Sequence, residues 1–296
     1  MTALQPRPVE QRRGYAFGLL DEAAKKEIRR SCLKAVCIPG YQVPFASREM
    51  PIARGFGTGG LQITLALIGP TDTLKVIDQG SDESVNACNL RELVTRVCPG
   101  TKTTDDTREA TLIQTRHRIT ETQLTEGQII VFQVPYPDPL GVIEPNEQAR
   151  VVLHGETNYA GLYVYLYEDV VRSRKITLSA GYPTEINTHY VMSPSPIPRW
   201  DLPQLHQSRC LNLFGAGREK KIYAVPPYTL SRPLEFEDMR FHVETFLNEQ
   251  GERKTCVKCG SRNTFLDEIY LADGEKAFTC SDTEFCARNR RKGEAA

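Results

Sequence analysis

The sequence predicts an α+β protein with a mixed β-sheet core and flanking helices, an inserted subdomain and a small C-terminal Cys-rich module. Helix and strand patterns follow one another irregularly, which argues against regular βαβ winding. Composition changes at the proline-rich segment 135–139, and four of the nine cysteines lie within residues 256–286. We therefore expect a core at 14–135 and 186–250, an insertion at 136–185, a cluster module at 251–290, and tails at 1–13 and 291–296.

Charge and composition exclude several classes of protein. Lys and Arg total 37, as do Asp and Glu, so the formal net charge is zero. Because binding to a phosphate backbone needs a basic surplus, nucleic acid is not an expected partner. No apolar run is long enough to cross a bilayer, and the first residues lack the apolar core of a signal peptide. An odd number of cysteines with one cluster at metal spacing fits a reducing compartment. We expect a soluble cytoplasmic protein.

Periodicity assigns the elements of the N-terminal half. Asp21 is a predicted N-cap for a helix that runs to about Val36, with apolar residues recurring three and four apart. The helix ends at Pro39-Gly40, which is typical of a type II turn with Gly40 at the position that needs a positive φ. Further patterns predict a helix at 82–98 and strands at 61–68, 74–78, 110–119 and 128–134.

A glycine-rich segment, Gly57-Thr58-Gly59-Gly60, precedes the predicted strand at 61–68. Backbone N–H groups of successive glycines can converge on an anion such as a phosphate. Since a strand and not a helix is expected to follow, the segment is neither a Walker loop nor a dinucleotide fingerprint. A phosphate contact and a simple flexible loop both remain open.

The strand predicted at 110–119 ends with Arg116-His117-Arg118, which places an imidazole between two guanidinium groups. Guanidinium groups suit phosphate oxygens, and an imidazole suits a metal ion or a substrate. Solvated charges at the end of a strand are the alternative.

The segment 136–185 has its own pattern, with a short helix expected at about 144–154 and an apolar stretch at 159–167. We interpret it as an insertion that offers a surface to a partner protein. The core is expected to resume near residue 190 and to include a strand at 222–225.

The C-terminal cysteines follow the order C-x2-C, a 20-residue gap, then C-x5-C. Cys256 and Cys259, with Gly260 after them, form a predicted knuckle that directs two thiolates at one point. The segments 264–271 and 276–280 flank a turn, so a hairpin would carry Cys280 back to the knuckle. The sequence therefore predicts a metal or cluster site.

The metal is not fixed by this spacing. A structural zinc ribbon is one interpretation, although ribbons usually close with a second CxxC pair. An iron–sulfur cluster on three cysteines, with one open iron and Cys286 as a separate thiol, is the other.

Several stretches taken together resemble one family, the catalytic J subunits of bacterial carbon–phosphorus lyase, over about residues 14–286. The stretches are AVCIPGYQVPF (35–45), REMP (48–51), GTGG (57–60), LKVIDQG (74–80), ATLIQTRHRI (110–119), SPSPIP (193–198), LFGAGREK (213–220) and CSDT (280–283).

The resemblance implies a radical S-adenosylmethionine enzyme that converts α-D-ribose 1-methylphosphonate 5-phosphate to α-D-ribose 1,2-cyclic phosphate 5-phosphate and methane. By resemblance, Cys256, Cys259 and Cys280 hold a [4Fe–4S] cluster that chelates S-adenosylmethionine. Gly40 maps onto a glycyl-radical position, and Cys286 maps onto a thiyl-radical position. A non-catalytic zinc-ribbon scaffold in a multi-protein complex is the alternative.

The resemblance also implies partners and substrate contacts. His117 maps onto a residue that shares a metal site, with zinc as a candidate, with a neighbouring subunit. Arg116, His117 and the loop 57–60 are the expected substrate contacts. The other subunits of the lyase core complex, including an ATP-binding-cassette subunit, are the expected partners.

Overall fold

The computed structural model describes residues 20–45, 59–78, 81–116, 120–134, 146–149, 183–192, 205–216, 220–233, 254–262, 264 and 266–294. The longer helices in these ranges are α1 (Glu22–Cys37), α2 (Gly59–Leu67), α3 (Val85–Val97) and α4 (Thr283–Glu294), and residues 147–149 are also helical. The strands are β1 (Val43–Pro44), β2 (Thr73–Asp78), β3 (Lys102–Thr103), β4 (Leu112–Arg116), β5 (Ile129–Val134), β6 (Pro183–Ile186), β7 (His189–Met192), β8 (Leu211–Ala216), β9 (Lys221–Val225), β10 (Ser231–Pro233), β11 (Leu266–Tyr270) and β12 (Lys276–Cys280).

A seven-stranded mixed sheet forms the core, in the order β1-β9-β8-β5-β4-β2-β3. The strands from β8 to β3 run parallel, whereas β9 is antiparallel to both β8 and β1. The predicted mixed sheet with flanking helices is therefore confirmed. However, α3 connects the parallel strands β2 and β4, so this part of the chain does follow the βαβ pattern.

Three helices cover one face of the sheet. Leu74 and Val76 of β2 share a core cluster with buried residues of α1, α2 and α3, as period-2 alternation along a strand requires. At the start of α1, the Ala24 N–H donates to Asp21 Oδ1 at 2.7 Å, which confirms the predicted N-cap.

The opposite face carries a stack of three aromatic rings. Phe214 lies between Phe132 and Tyr223, with ring centroids 4.7 and 4.5 Å away. Ile186 and Leu205 share this second core cluster. Ile186 belongs to a separate three-stranded sheet, in the order β10-β6-β7. The four-cysteine segment also contacts this side of the sheet, because the buried Lys75 of β2 reaches Asp282.

The strand predicted at 61–68 is wrong, because these residues form most of α2. Every residue from 59 to 66 is buried. A short apolar run gives no periodicity that separates a buried strand from a buried helix, and a helix that is apolar all round is buried all round. The glycines at 59 and 60 therefore begin a helix, contrary to the sequence expectation.

Within 136–185 the structure describes only 146–149 and 183–185, so the extent of the insertion stays a prediction. The predicted helix near 144–154 and the apolar stretch 159–167 lie mostly or wholly outside the described residues. Among the helices that are described, none has the length and apolar character needed to span a membrane.

Candidate metal centre

The knuckle at Cys256–Gly260 is held by its own backbone. Gly260 has a φ of 73°, and its N–H donates to the Cys256 carbonyl at 2.9 Å. The N–H of Val257 donates to the Phe278 carbonyl of β12 at 2.9 Å. This tight turn needs a left-handed residue after Cys259, which explains the glycine there.

The predicted hairpin is confirmed, since β11 and β12 pair antiparallel with Leu266 opposite Cys280. This pairing brings the Cys280 sulfur to 3.5 Å from that of Cys259. Cys286 lies in the first turn of α4, with its sulfur 3.7 Å from that of Cys256. All four sulfurs lie within 4.8 Å of one another.

The surroundings shift the pKa values of three of these thiols in different directions. Burial would raise the pKa of Cys256, but N–H groups of Cys259, Lys258 and Cys280 donate to its sulfur and lower that pKa from 9.0 to about 6. Burial raises the pKa of Cys280. Burial, and then the proximity of Cys256 and Cys259, raises the pKa of Cys286 to about 12. A metal ion bound here would therefore displace protons from the set.

The four thiols suit a thiophilic metal, and their spacing bears on which one. Tetrahedral zinc with Zn–S bonds of about 2.3 Å separates neighbouring sulfurs by about 3.8 Å. The 3.5 and 3.7 Å separations match that value. A [4Fe–4S] cluster also takes cysteine thiolates as its ligands. Two of the sulfur–sulfur separations thus agree with a single tetrahedral ion, while the type of donor suits a zinc ion and an iron–sulfur cluster alike.

Gly40 is buried in the turn after α1, whereas Ile38 and Tyr41 of the same turn are exposed. Its φ is 80°, which agrees with the predicted turn, and its N–H donates to the Ala224 carbonyl of β9 at 2.9 Å. An added Cβ would lie 2.7 Å from the Ile186 carbonyl oxygen. The neighbouring Tyr41 ring meets the His189 ring edge-on at 5.7 Å. The turn is thus enclosed by β9 and by the hairpin β6–β7.

The structure does not bring Gly40 and Cys286 together. Lys75 of β2 contacts Asp282, just before α4. The strand register places Lys75 level with Val225 of β9, four strand spacings or about 19 Å away. The Gly40 N–H donates a hydrogen bond to the carbonyl of Ala224, the residue before Val225. Gly40 and Cys286 are therefore anchored toward opposite ends of the strand order, at β9 and at β2.

Arg116 ends β4 beside Asp78, the last residue of β2. The Arg116 guanidinium donates to both Asp78 carboxylate oxygens, from Nε at 2.6 Å and from Nη2 at 3.0 Å. Asn86 Nδ2 donates to the same carboxylate at 2.9 Å. Ligands of parallel sheets bind outside this carboxyl edge. Asp78 was not among the site residues predicted from the sequence, although an acidic residue at the end of a mostly apolar strand could have indicated it.

The remaining candidates are placed only in part. Gly59 and Gly60 begin α2, and the Gly60 N–H donates to Gln133 Oε1 near the carboxyl end of β5. Gly57, Thr58 and His117 lie outside the described residues. The start of α2 thus lies at the same edge of the sheet as Arg116.

Comparison with known proteins gives a match over nearly the whole chain. The model of a family described as phosphonate metabolism protein PhnJ matches residues 13–292. An "alpha-D-ribose 1-methylphosphonate 5-phosphate C-P-lyase" of Rhizobium meliloti (strain 1021) is 51% identical over 282 residues, covering 95% of this chain and 93% of that protein. A protein of the same name in Escherichia coli (strain K12) is 50% identical over 283 residues, covering 95% and 97%.

Proposed function

The chain belongs to the PhnJ family of phosphonate metabolism proteins, and from this membership we propose that it is a carbon–phosphorus lyase acting on α-D-ribose 1-methylphosphonate 5-phosphate. The supporting observation is that two proteins named for this activity are about half identical over 95% of the chain. The proposed products are α-D-ribose 1,2-cyclic phosphate 5-phosphate and methane.

The proposed cofactors are a [4Fe–4S] cluster on Cys256, Cys259 and Cys280 together with S-adenosylmethionine. When bound, they would supply the one-electron chemistry that removes a hydrogen atom from the protein. The thiols suit this role because cysteine thiolates are the usual ligands of iron–sulfur clusters. Cys286 would have to leave the four-sulfur set, because it has a separate role in the proposal.

In the proposed reaction the chain itself carries the unpaired electron. Gly40 loses a Cα hydrogen and regains one from the Cys286 S–H, which leaves a thiyl radical. The sulfur bonds to phosphorus as the C–P bond breaks, and the departing methyl radical takes a hydrogen from Gly40 to form methane. The ribose 2-hydroxyl then bonds to phosphorus and displaces the sulfur as a thiolate, which takes up the hydroxyl proton and so restores the Cys286 thiol. Glycine suits this role because its Cα radical can become planar between an amide and a carbonyl.

This route needs a movement of the chain. Gly40 is fixed beside β9, whereas Cys286 is fixed near β2, about four strand spacings away. We propose that the cysteine module or the turn at Gly40 rearranges when the substrate and the partner subunits bind.

The proposed substrate contacts lie at the carboxyl edge of the sheet. Asp78 holds the Arg116 guanidinium in place, and such a planar group suits phosphate oxygens. The N-terminal end of α2, at Gly59 and Gly60, adds a favourable dipole for an anion. Gly57, Thr58 and His117 complete the proposed set, with His117 also sharing a zinc site with a neighbouring subunit.

We further propose that the protein works within a lyase core complex that includes an ATP-binding-cassette subunit. The segment 136–185 is the proposed docking surface.

Anaerobic reconstitution with iron and sulfide tests the proposal, followed by reduction with S-adenosylmethionine in the presence of partner subunits. The expected results are a [4Fe–4S]⁺ EPR signal that S-adenosylmethionine perturbs, formation of 5′-deoxyadenosine, and methane. Tightly held zinc that resists replacement, with no cluster and no cleavage, would overturn it.

Isotope labelling tests the role of Gly40 without a substitution. Protein grown with glycine deuterated at Cα should transfer deuterium to 5′-deoxyadenosine, because the first hydrogen removed comes from the Gly40 Cα. Protein labelled at alanine is the control and should give unlabelled 5′-deoxyadenosine. Unlabelled 5′-deoxyadenosine from the glycine-labelled protein would remove Gly40 from the reaction.

The compact set of four sulfurs, all within 4.8 Å, favours a second candidate, a non-catalytic scaffold with a zinc ribbon. Cys286→Ser separates the two. A scaffold would lose a zinc ligand and bind zinc more weakly. The lyase would still load iron on three cysteines but release no methane.

A further inference from the structure

Lys75 is a buried lysine at the centre of β2. Its side chain is only 1% exposed, and lysine is almost never buried this deeply unless it is paired. Its neighbours Leu74 and Val76 face the three helices. Because side chains alternate along a strand, Lys75 points to the opposite face, where α4 begins.

Two buried carboxylates and one carbonyl surround the Lys75 ammonium. Nζ lies 3.4 Å from Asp282 Oδ1 and 3.9 Å from Asp82 Oδ2, and it donates to the Asp105 carbonyl. The exposed fractions of the two acidic side chains are 3% and 2%. Each acid also has one buried oxygen without a partner among the described residues. The lysine is therefore the main compensation for their charge.

Both acids hold the first turn of α4. Asp82 Oδ2 accepts from the Thr283 hydroxyl at 2.9 Å. Asp282 Oδ1 accepts the Phe285 N–H at 3.1 Å, and the Asp282 carbonyl accepts the Cys286 N–H at 3.1 Å. A continuous set of contacts thus runs from the core sheet to the backbone of Cys286.

We propose that Lys75 is a positioning residue for the four-cysteine centre. Through Asp82 and Asp282 it fixes the first turn of α4, so that the Cys286 sulfur lies beside that of Cys256. The inference rests on the four-cysteine arrangement of this structure and not on the lyase reaction, so its test does not depend on whether methane is released.

Removal of the lysine charge acts locally because other contacts keep α4 on the core. Arg288 Nη2 donates to Thr122 Oγ1 at 2.7 Å, and Arg108 lies 3.3 Å from Glu284. Without Lys75, two buried carboxylates would repel each other and draw in water. The first turn would then shift while the rest of the helix stays docked, and Cys286 would leave the centre first.

The test loads the full-length chain with Co²⁺ alone and compares Lys75→Met with the wild type. Co²⁺ absorption reports how many thiolates bind the ion, and Cys286→Ser supplies the three-thiolate reference. We expect a four-thiolate spectrum for the wild type and a spectrum near the reference for Lys75→Met, with Co²⁺ affinity about 10–100-fold lower. Circular dichroism verifies that each variant is folded before the comparison. If Lys75 only stabilised the fold, folded Lys75→Met would keep the wild-type Co²⁺ absorption spectrum.

Lys102→Met is the matched control, because Lys102 lies on the adjacent strand β3 and is exposed. It should keep the wild-type spectrum and affinity. Asp82→Asn in the Lys75→Met background removes one uncompensated charge and should restore part of the affinity. Folded Lys75→Met with the wild-type spectrum and affinity would overturn the proposal.

Thr283→Val decides the question if Lys75→Met does not fold. It removes only the hydroxyl that donates to Asp82 and leaves the Lys75 ammonium beside both carboxylates. We expect a several-fold loss of Co²⁺ affinity and weaker thiolate absorption. Unchanged affinity and absorption in this variant would overturn the proposal.

Discussion

Position 40 requires glycine for structural reasons that are separate from the proposed radical chemistry. Its φ of 80° disfavours a side chain, and an added Cβ would lie 2.7 Å from a backbone oxygen of Ile186. Loss of activity after substitution would therefore not identify a radical position by itself.

We expect Gly40→Ala to lower the free energy of unfolding by about 2–4 kcal/mol, from backbone strain together with the clash. Gly100→Ala is the control, since Gly100 has a φ of 91° and open space around its Cβ position. That variant should lose only about 1 kcal/mol from strain. Urea unfolding measures both, and equal losses would contradict the predicted clash.

The pKa values of the cysteine thiols predict how the affinity for a metal ion depends on pH. The pKa of Cys286 is raised to about 12, so its proton must leave when a metal binds at neutral pH. Affinity for Zn²⁺ should therefore rise with pH between 7 and 9. The slope of log Zn²⁺ affinity against pH should be larger by about one in the wild type than in Cys286→Ser, because one more proton is released on binding. Competition with a chelator measures both slopes, and equal slopes would place Cys286 outside the ligand set.

At the scale of single elements, α2 shows where local sequence is insufficient. Its first two residues lie against β8, and a Cβ on Gly215 would come within 2.5 Å of the Gly59 carbonyl carbon. Leu61 to Leu67 give no periodicity that separates a helix from a strand, whereas the alternation of the hairpin and the cap of α1 were sufficient for correct predictions.

We expect Gly215→Ala to destabilise the protein by about 1–3 kcal/mol or more, because backbone atoms of α2 cannot rotate away from the added methyl group. Gly69→Ala is a suitable control, since its Cβ would meet only Asp72 Oδ2 at an ordinary 3.4 Å. Thermal unfolding compares the two. A similar melting temperature for both variants would contradict the close approach of α2 and β8.

At the scale of the whole molecule, the part of the cysteine module that the structure describes has a small core. Among these residues the buried cluster is Cys256, Cys280 and Cys286, with Cys259, Leu266 and Phe285 packed against them. A bound metal would therefore supply much of the stability of residues 254–294.

Metal removal by a chelator should loosen this module while the seven-stranded sheet remains folded. Amide hydrogen exchange should speed up by about 10-fold or more in β11, β12 and α4 and stay unchanged in β5 and β8. Restored Zn²⁺ should reverse the change. Uniform exchange across the chain after metal removal would show that the module does not depend on the metal.

The sequence by itself determined the mixed sheet, the cap of α1, the turn at Gly40 and the cysteine hairpin. These features depend on periodicity, capping and turn residues that lie close together in the chain. Only the tertiary structure decided that 61–67 is helical, that Cys286 joins the other three sulfurs, that Gly40 lies apart from it, and that Lys75 contacts Asp282. Such contacts join residues as many as 207 positions apart. No local pattern encodes them, because they arise only when the sheet and the module pack together.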